Sequence, residues 1–127
     1  MKREDMLKYF EDYNTADYEK TISTYYTGDA VFEAADYKYE GKQNIINFLK
    51  ESHQGITEKM KPVHLLVERE TVAAEIEVLI EVFEDKPEFH IKPLKKGDSL
   101  TLRIAAFYDI RDNRICHTRL YRFTKWA

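Results

Sequence analysis

The sequence predicts an α+β domain, with helices gathered in its first half and long antiparallel strands in its second. Two observations carry this prediction. Up to Leu49 the apolar residues recur at the spacing of helix faces; beyond Pro62 they switch to strict alternation, as strands with one buried face require. A chain of 127 residues suits one hydrophobic core, so residues 1–127 are read as a single domain.

The first helix is expected from Arg3 to Tyr13, where Met6, Leu7, Phe10 and Tyr13 share one face. Asn14, Thr15 and Asp17 then supply cap-type oxygens, and Tyr18, Ile22, Tyr25 and Tyr26 continue a second helical face as far as Gly28. Asp29 to Ala34 has strand composition, and after Gly41 the residues Ile45, Ile46, Phe48 and Leu49 restore helical spacing. Val63, Leu65 and Val67 open the alternating half, followed by Val72, Ala74, Ile76, Val78, Ile80 and Val82. The stretch Asp85 to Asp98 holds Pro87, Pro93 and Gly97 and reads as a connection, with a short strand at most and a mobile rim as its expected character. Leu100 to Ile110 and Ile115 to Phe123 flank Asp112-Asn113, a pair suited to a tight hairpin turn.

Composition narrows the function classes. Hydrophobic residues make up 43% and aromatics 13%, enough to build a core without disulfides or structural metal. The one cysteine, Cys116, has no intramolecular partner, and no apolar leader follows the mixed-charge start Met1-Lys2-Arg3-Glu4-Asp5. These features predict a cytoplasmic protein. No apolar run approaches the roughly 20 residues that span a bilayer, so no membrane partner is expected. A net charge of −3 from well-mixed residues predicts no nucleic-acid partner. His53, His64, His90 and His117 do not fall at zinc-motif spacing, and no phosphate loop, serine elbow or dinucleotide fingerprint occurs. No metal and no cofactor are expected.

The order helix, helix, strand, helix and then long antiparallel strands resembles the nuclear transport factor 2-like superfamily, in particular its SnoaL-like and ketosteroid isomerase-like branch. Tyr25-Tyr26-Thr27-Gly28-Asp29-Ala30-Val31-Phe32 is similar to that family's helix-end passage, and Tyr39-Glu40-Gly41-Lys42-Gln43-Asn44-Ile45 to its glycine before the third helix. Val72-Ala73-Ala74-Glu75 resembles its third-strand signature, and Phe107 to Ile110 with Arg114-Ile115 its last hairpin. The resemblance implies a cone-shaped, curved antiparallel sheet that encloses a pocket with three N-terminal helices. It implies a small-molecule ligand, and a homodimer through the convex sheet face.

Matching the third-strand signature turns Ala73, Glu75, Glu77 and Leu79 toward the pocket and puts Ala74, Ile76, Val78, Ile80 and Val82 on the convex side. An exposed aliphatic stripe of that length would be covered by a second copy. The same matching turns Arg103, Ala105 and Phe107 inward, along with Thr118, Leu120 and Arg122. The expected pocket residues are Phe32, Asp36 of the rim loop, Glu77, Phe107, Thr118 and Arg122. Glu75 is the expected proton carrier, paired with Arg103, and Tyr9 matches the isomerase tyrosine that donates to an oxyanion. The isomerase's two carboxylic acids correspond to Ala34 and Ala105, which can move no proton. The reading is thus a small-molecule-binding domain, as a cofactor-free isomerase, cyclase or hydratase-type enzyme or as a noncatalytic dimeric binding or scaffold module.

Overall fold

The computed structural model describes residues 1–123. Its elements are α1 (Arg3–Tyr13), α2 (Tyr18–Tyr25), β1 (Tyr26–Ala34), β2 (Tyr37–Glu40), α3 (Lys42–Ser52), β3 (Ile56–Glu68), β4 (Thr71–Val82), β5 (Ser99–Arg111) and β6 (Arg114–Arg122). The strands form one curved, unclosed sheet in the order β2-β1-β6-β5-β4-β3. All neighbours run antiparallel except β1 and β6, which are parallel. The curved antiparallel sheet expected from the sequence is present, with a parallel pairing at this one seam. The parallel pairing is open to β1 because α3 and four strands separate it from β6 along the chain, ample length for a crossover.

Three boundaries differ from the expected ones. Helix α2 ends at Tyr25 and the strand begins at Tyr26, ahead of Gly28, because Tyr26 already pairs with Ile115 of β6. Strand β2 pairs with β1 through a turn at Ala35-Asp36, an edge ladder too short to leave an alternation in the sequence. Strand β3 starts at Ile56 and passes through Pro62. Proline is tolerated there because β3 is an edge strand, and a bulge between Pro62 and His64 takes up the lost ladder bond. At the β5–β6 hairpin, Asp112 and Asn113 both take the left-handed conformation, with φ of 52° and 60°, as a tight primed turn demands.

The core lies between the helices and the sheet's inner face. Val72, Ala74, Ile76, Val78, Ile80 and Val82 of β4 are all buried, while Glu75 and Glu77 stand on the other side of the strand. This reverses the faces expected for β4. Burying one aliphatic side chain is worth about 1.5–3 kcal/mol, and an unpaired buried carboxylate costs more than that. Inward aliphatics and outward acids are the arrangement both terms favour. Strand β5 follows the same parity, with Ile104, Ala106, Tyr108 and Ile110 inside and Arg103, Ala105 and Phe107 outside. Strand β6 keeps the expected faces, Thr118 and Leu120 pointing inward.

The connection after β4 is tied down. Lys86 and Leu94 exchange backbone hydrogen bonds of 2.8 and 2.9 Å, and the Lys86 ammonium donates to the carbonyls of Ser52 and Gln54 at 3.1 and 2.6 Å. Phe89 and Leu94 are buried beneath it. Gly55 sits at the crossing, with φ of +78° and Glu84 so near that an added Cβ would come within 2.9 Å of the Glu84 Cβ.

Candidate functional site

A cavity of about 730 Å³ opens between α3 and the sheet. Its helix side carries Phe48, Leu49 and Ser52, joined by the rings of Phe32 and Tyr37; its sheet side carries Met60, Val78, Leu102, Ile104 and Leu120. Tyr37 and Phe48 pack with ring centroids 4.5 Å apart, and Phe32 lies parallel to Tyr37 within 8°. At the mouth stand the exposed residues Asp36, His90 and Arg122.

Its interior end is polar and is built by three elements. Alternation along β3 turns Ile56, Glu58 and Met60 inward, which brings an acid into an otherwise apolar row. Asn14, just past α1, donates to the Met60 carbonyl at 2.8 Å and accepts from the Met60 amide at 2.7 Å. That clamp fixes the end of α1 against β3, and the Tyr13 hydroxyl donates to Glu58 Oε1 at 3.0 Å. His53 terminates α3. Its Nδ1 lies 2.6 Å from the Leu49 carbonyl and its Nε2 lies 3.1 Å from Glu58 Oε2. The ring also stacks on Tyr18 at 4.8 Å.

The carbonyl can only accept, so Nδ1 carries a proton; facing an ionised carboxylate, Nε2 carries one as well. The electrostatics agree. Burial disfavours the His53 cation, but the Glu58 charge, their hydrogen bond and the Leu49 carbonyl outweigh it, against a smaller opposing effect of Lys86, and raise its pKa above 6.5. Burial likewise opposes ionisation of Glu58, yet the His53 charge and hydrogen bond, the Tyr13 hydroxyl and His90 hold it below 4.5. The two form a largely buried ion pair, their side chains 10% and 14% exposed. At the mouth, burial holds His90 below 6.5, with Asp36 and Glu58 acting against it and Arg122 and His53 with it.

The residues expected at the site separate into three groups. Phe32, Asp36 and Arg122 line the cavity. Thr118 is fully buried behind it, its hydroxyl 2.9 Å from that of Tyr26, which is in turn 2.9 Å from the hydroxyl of Tyr9. Tyr9 is therefore a core residue, packed among Phe10, Tyr25 and Tyr108 with its hydroxyl engaged and its pKa raised by burial and the neighbouring phenols. Glu75, Glu77, Arg103 and Phe107 lie on the outer face, a correction that follows directly from the reversed parity of β4 and β5. There Arg103 bridges Glu75 at 3.6 Å and Glu77 at 3.2 Å, and His64 meets Glu75 at 2.7 Å, all in solvent-exposed positions. Ala34 is in the cavity wall, whereas Ala105 faces outward beside Glu75 and Tyr121.

Glu58, His53 and Tyr13 went unrecognised as a set in the sequence. The one local signal was Glu58 itself, an acid at the same parity as Ile56 and Met60.

Three helices against a curved, unclosed six-stranded sheet define the nuclear transport factor 2-like cone fold. Within it, the chain belongs to the SnoaL-like domain family, whose profile matches residues 6–118. Similar solved structures include a proposed SnoaL-like polyketide cyclase from Shewanella denitrificans OS-217, 25% identical over 93% of this chain and 87% of that one, with a TM-score of 0.78. A proposed polyketide cyclase from Silicibacter sp. TM1040 is 18% identical over 93% and 85%, with a TM-score of 0.79. An LEH-like epoxide hydrolase from M. tuberculosis is 13% identical over 92% and 79%, with a TM-score of 0.70. No curated protein matches. Among the described residues, no helix is long and apolar enough to cross a membrane.

Proposed function

We propose that residues 1–127 act as one cytoplasmic SnoaL-like domain that binds a small, mainly apolar molecule in the cavity between α3 and the sheet. The observation that carries this reading is the cavity itself: about 730 Å³, within the range of ligand sites, with aromatic and aliphatic walls and a few convergent polar groups. For chemistry there, proton transfer of the isomerase, cyclase or hydratase kind is the proposal, because His53, Glu58, His90, Asp36 and Glu33 are among the groups that line the wall. Names borne by the similar structures, polyketide cyclase and epoxide hydrolase, are compatible with such chemistry. Glu75 and Arg103 have no part in it, because they stand on the far side of the sheet.

Titration with the neutral apolar dye Nile red tests the reading. Saturable fluorescence enhancement is expected, and Leu120→Trp, which fills the cavity from the sheet side, should weaken binding at least about tenfold, the loss of roughly 1.4 kcal/mol. Absence of binding by the folded wild-type protein, or equal binding by the filled variant, would remove the cavity as the ligand site.

A homodimer through the outer sheet face is proposed as well, on new grounds. The aliphatic stripe of β4 that first suggested it is internal. The outer face instead carries Leu66, Ala73 and Phe107 in one cross-strand row and Ala105 with Tyr121 in the next. Leu66 is 70% and Tyr121 55% exposed, and these apolar side chains alternate with the His64, Glu75 and Arg103 charges, a mix an interface between copies accommodates. Analytical ultracentrifugation should show a dimer at micromolar concentration and a monomer for Phe107→Glu. A monomeric wild-type protein would end this proposal without touching the cavity.

A further inference from the structure

We propose that Glu58 is a recognition site for a hydrogen-bond-donating group, a hydroxyl in the simplest case, on a neutral ligand; the inference rests on the cavity's being the ligand site. The argument is a count of donors and acceptors. Three donors converge at the interior end of the cavity, and each is already engaged: Tyr13 donates to Glu58 Oε1, His53 Nδ1 donates to the Leu49 carbonyl, and His53 Nε2 faces Glu58 Oε2 across the ion pair at 3.1 Å. Ser52, also in the wall, has its hydroxyl oxygen 3.4 Å from the same Leu49 carbonyl, a long hydrogen bond in which it donates. A carboxylate has about four acceptor positions. Two on Glu58 are filled, and lone pairs on both oxygens remain.

A ligand reaching this end therefore meets acceptors and no free donor among these groups. A ligand hydroxyl can donate to Glu58 without displacing anything. A ligand carboxylate cannot: it would face a like charge whose balancing cation, His53, is already bound to Glu58. A group that only accepts finds no free donor on Tyr13, His53 or Ser52. The apolar walls, with the rings of Phe32, Tyr37 and Phe48 on one side and Val78, Leu102 and Ile104 on the other, leave the rest of the ligand to packing.

Three matched probes test this by calorimetry or ligand-observed NMR at neutral pH: 2-naphthol, 2-methoxynaphthalene and 2-naphthoate. They share a ring system and differ in donating, only accepting, or carrying a negative charge. Wild-type protein should prefer 2-naphthol over each of the others by about tenfold, as a hydrogen bond to a charged acceptor allows. Glu58→Gln should reduce that preference to about threefold or less. Because Glu58→Gln also disturbs the buried pair, Tyr13→Phe gives a second reading in a variant that keeps the charge pair. It frees Oε1, so its preference for 2-naphthol should equal or exceed that of the wild type. Equal affinity for all three probes, or a preference that survives in folded Glu58→Gln or collapses in Tyr13→Phe, overturns the assignment. If Nile red still binds in that case, the cavity reading stands alone; if neither the dye nor any naphthalene binds, both fall.

Discussion

Replacing His53 with leucine is expected to destabilise the fold by about 3 kcal/mol, because it leaves the Glu58 carboxylate without its balancing charge. Two charges 3.1 Å apart at 10% and 14% exposure are little screened by solvent, so loss of one partner is felt almost in full. Against a total stability of about 5–15 kcal/mol for a domain of this kind, the loss is large. Urea unfolding monitored by circular dichroism measures it directly. The double replacement His53→Leu with Glu58→Met should recover to within about 1 kcal/mol of the wild type, since an apolar pair needs no mutual compensation. A single variant as stable as the wild type would mean the pair is not buried as described.

The same pair predicts the pH dependence of stability. Glu58 has a folded pKa below its ordinary 4.5, so its contribution is complete above pH 4.5 and is lost as pH falls through the lowered folded value. His53 has a folded pKa above 6.5, so its contribution is complete below pH 6.5 and is lost as pH rises through the raised folded value. Stability from the pair is therefore greatest between these limits and declines on both sides. Asp29, Asp109 and Glu75 are also held low and share the acid decline. His90, held below 6.5, acts in the opposite sense, its contribution appearing as pH rises. The difference between wild type and His53→Leu isolates the pair. It should shrink as pH rises above neutrality, and a difference independent of pH would rule out a charged His53.

The second large effect is a contrast between neighbours on β4. Ile76→Ala should cost about 2–5 kcal/mol, because Ile76 is fully buried between the helices and the sheet and its truncation leaves a cavity. Glu77→Ala, one residue along, should change stability by no more than about 0.5 kcal/mol, since its carboxylate is solvent-exposed and its ion pair with Arg103 is a surface one. Midpoints of urea denaturation at one pH compare the two. Equal effects, or the larger effect at Glu77, would contradict the parity that places the whole site.

That parity separates what was legible in the sequence from what was not. Plain alternation in β4, aliphatic at even positions and acidic at Glu75 and Glu77, already points the aliphatics to the core on energetic grounds. Alignment by the short passage Val72-Ala73-Ala74-Glu75 assigned the faces the other way, and Glu75, Glu77, Arg103 and Phe107 followed it to the wrong side. Phe32 and Asp36, which did not rest on that passage, line the cavity, and so does Arg122, because β6 keeps the faces the matching gave it. The buried triad of Tyr13, His53 and Glu58 escaped notice for another reason. Its members end α1, end α3 and begin β3, and Pro62 masked the strand that turns Glu58 inward.

The sequence by itself determined the three helices, the long strands after Pro62, the Asp112-Asn113 turn and the family, because each rests on local spacing or on a motif order that needs no partner. Only the tertiary structure decided which side of the sheet is the interior and which charges meet there. Those outcomes depend on contacts between segments about 45 residues apart, as between Tyr13 and Glu58, and on the burial energy of a whole face rather than on any one stretch of chain.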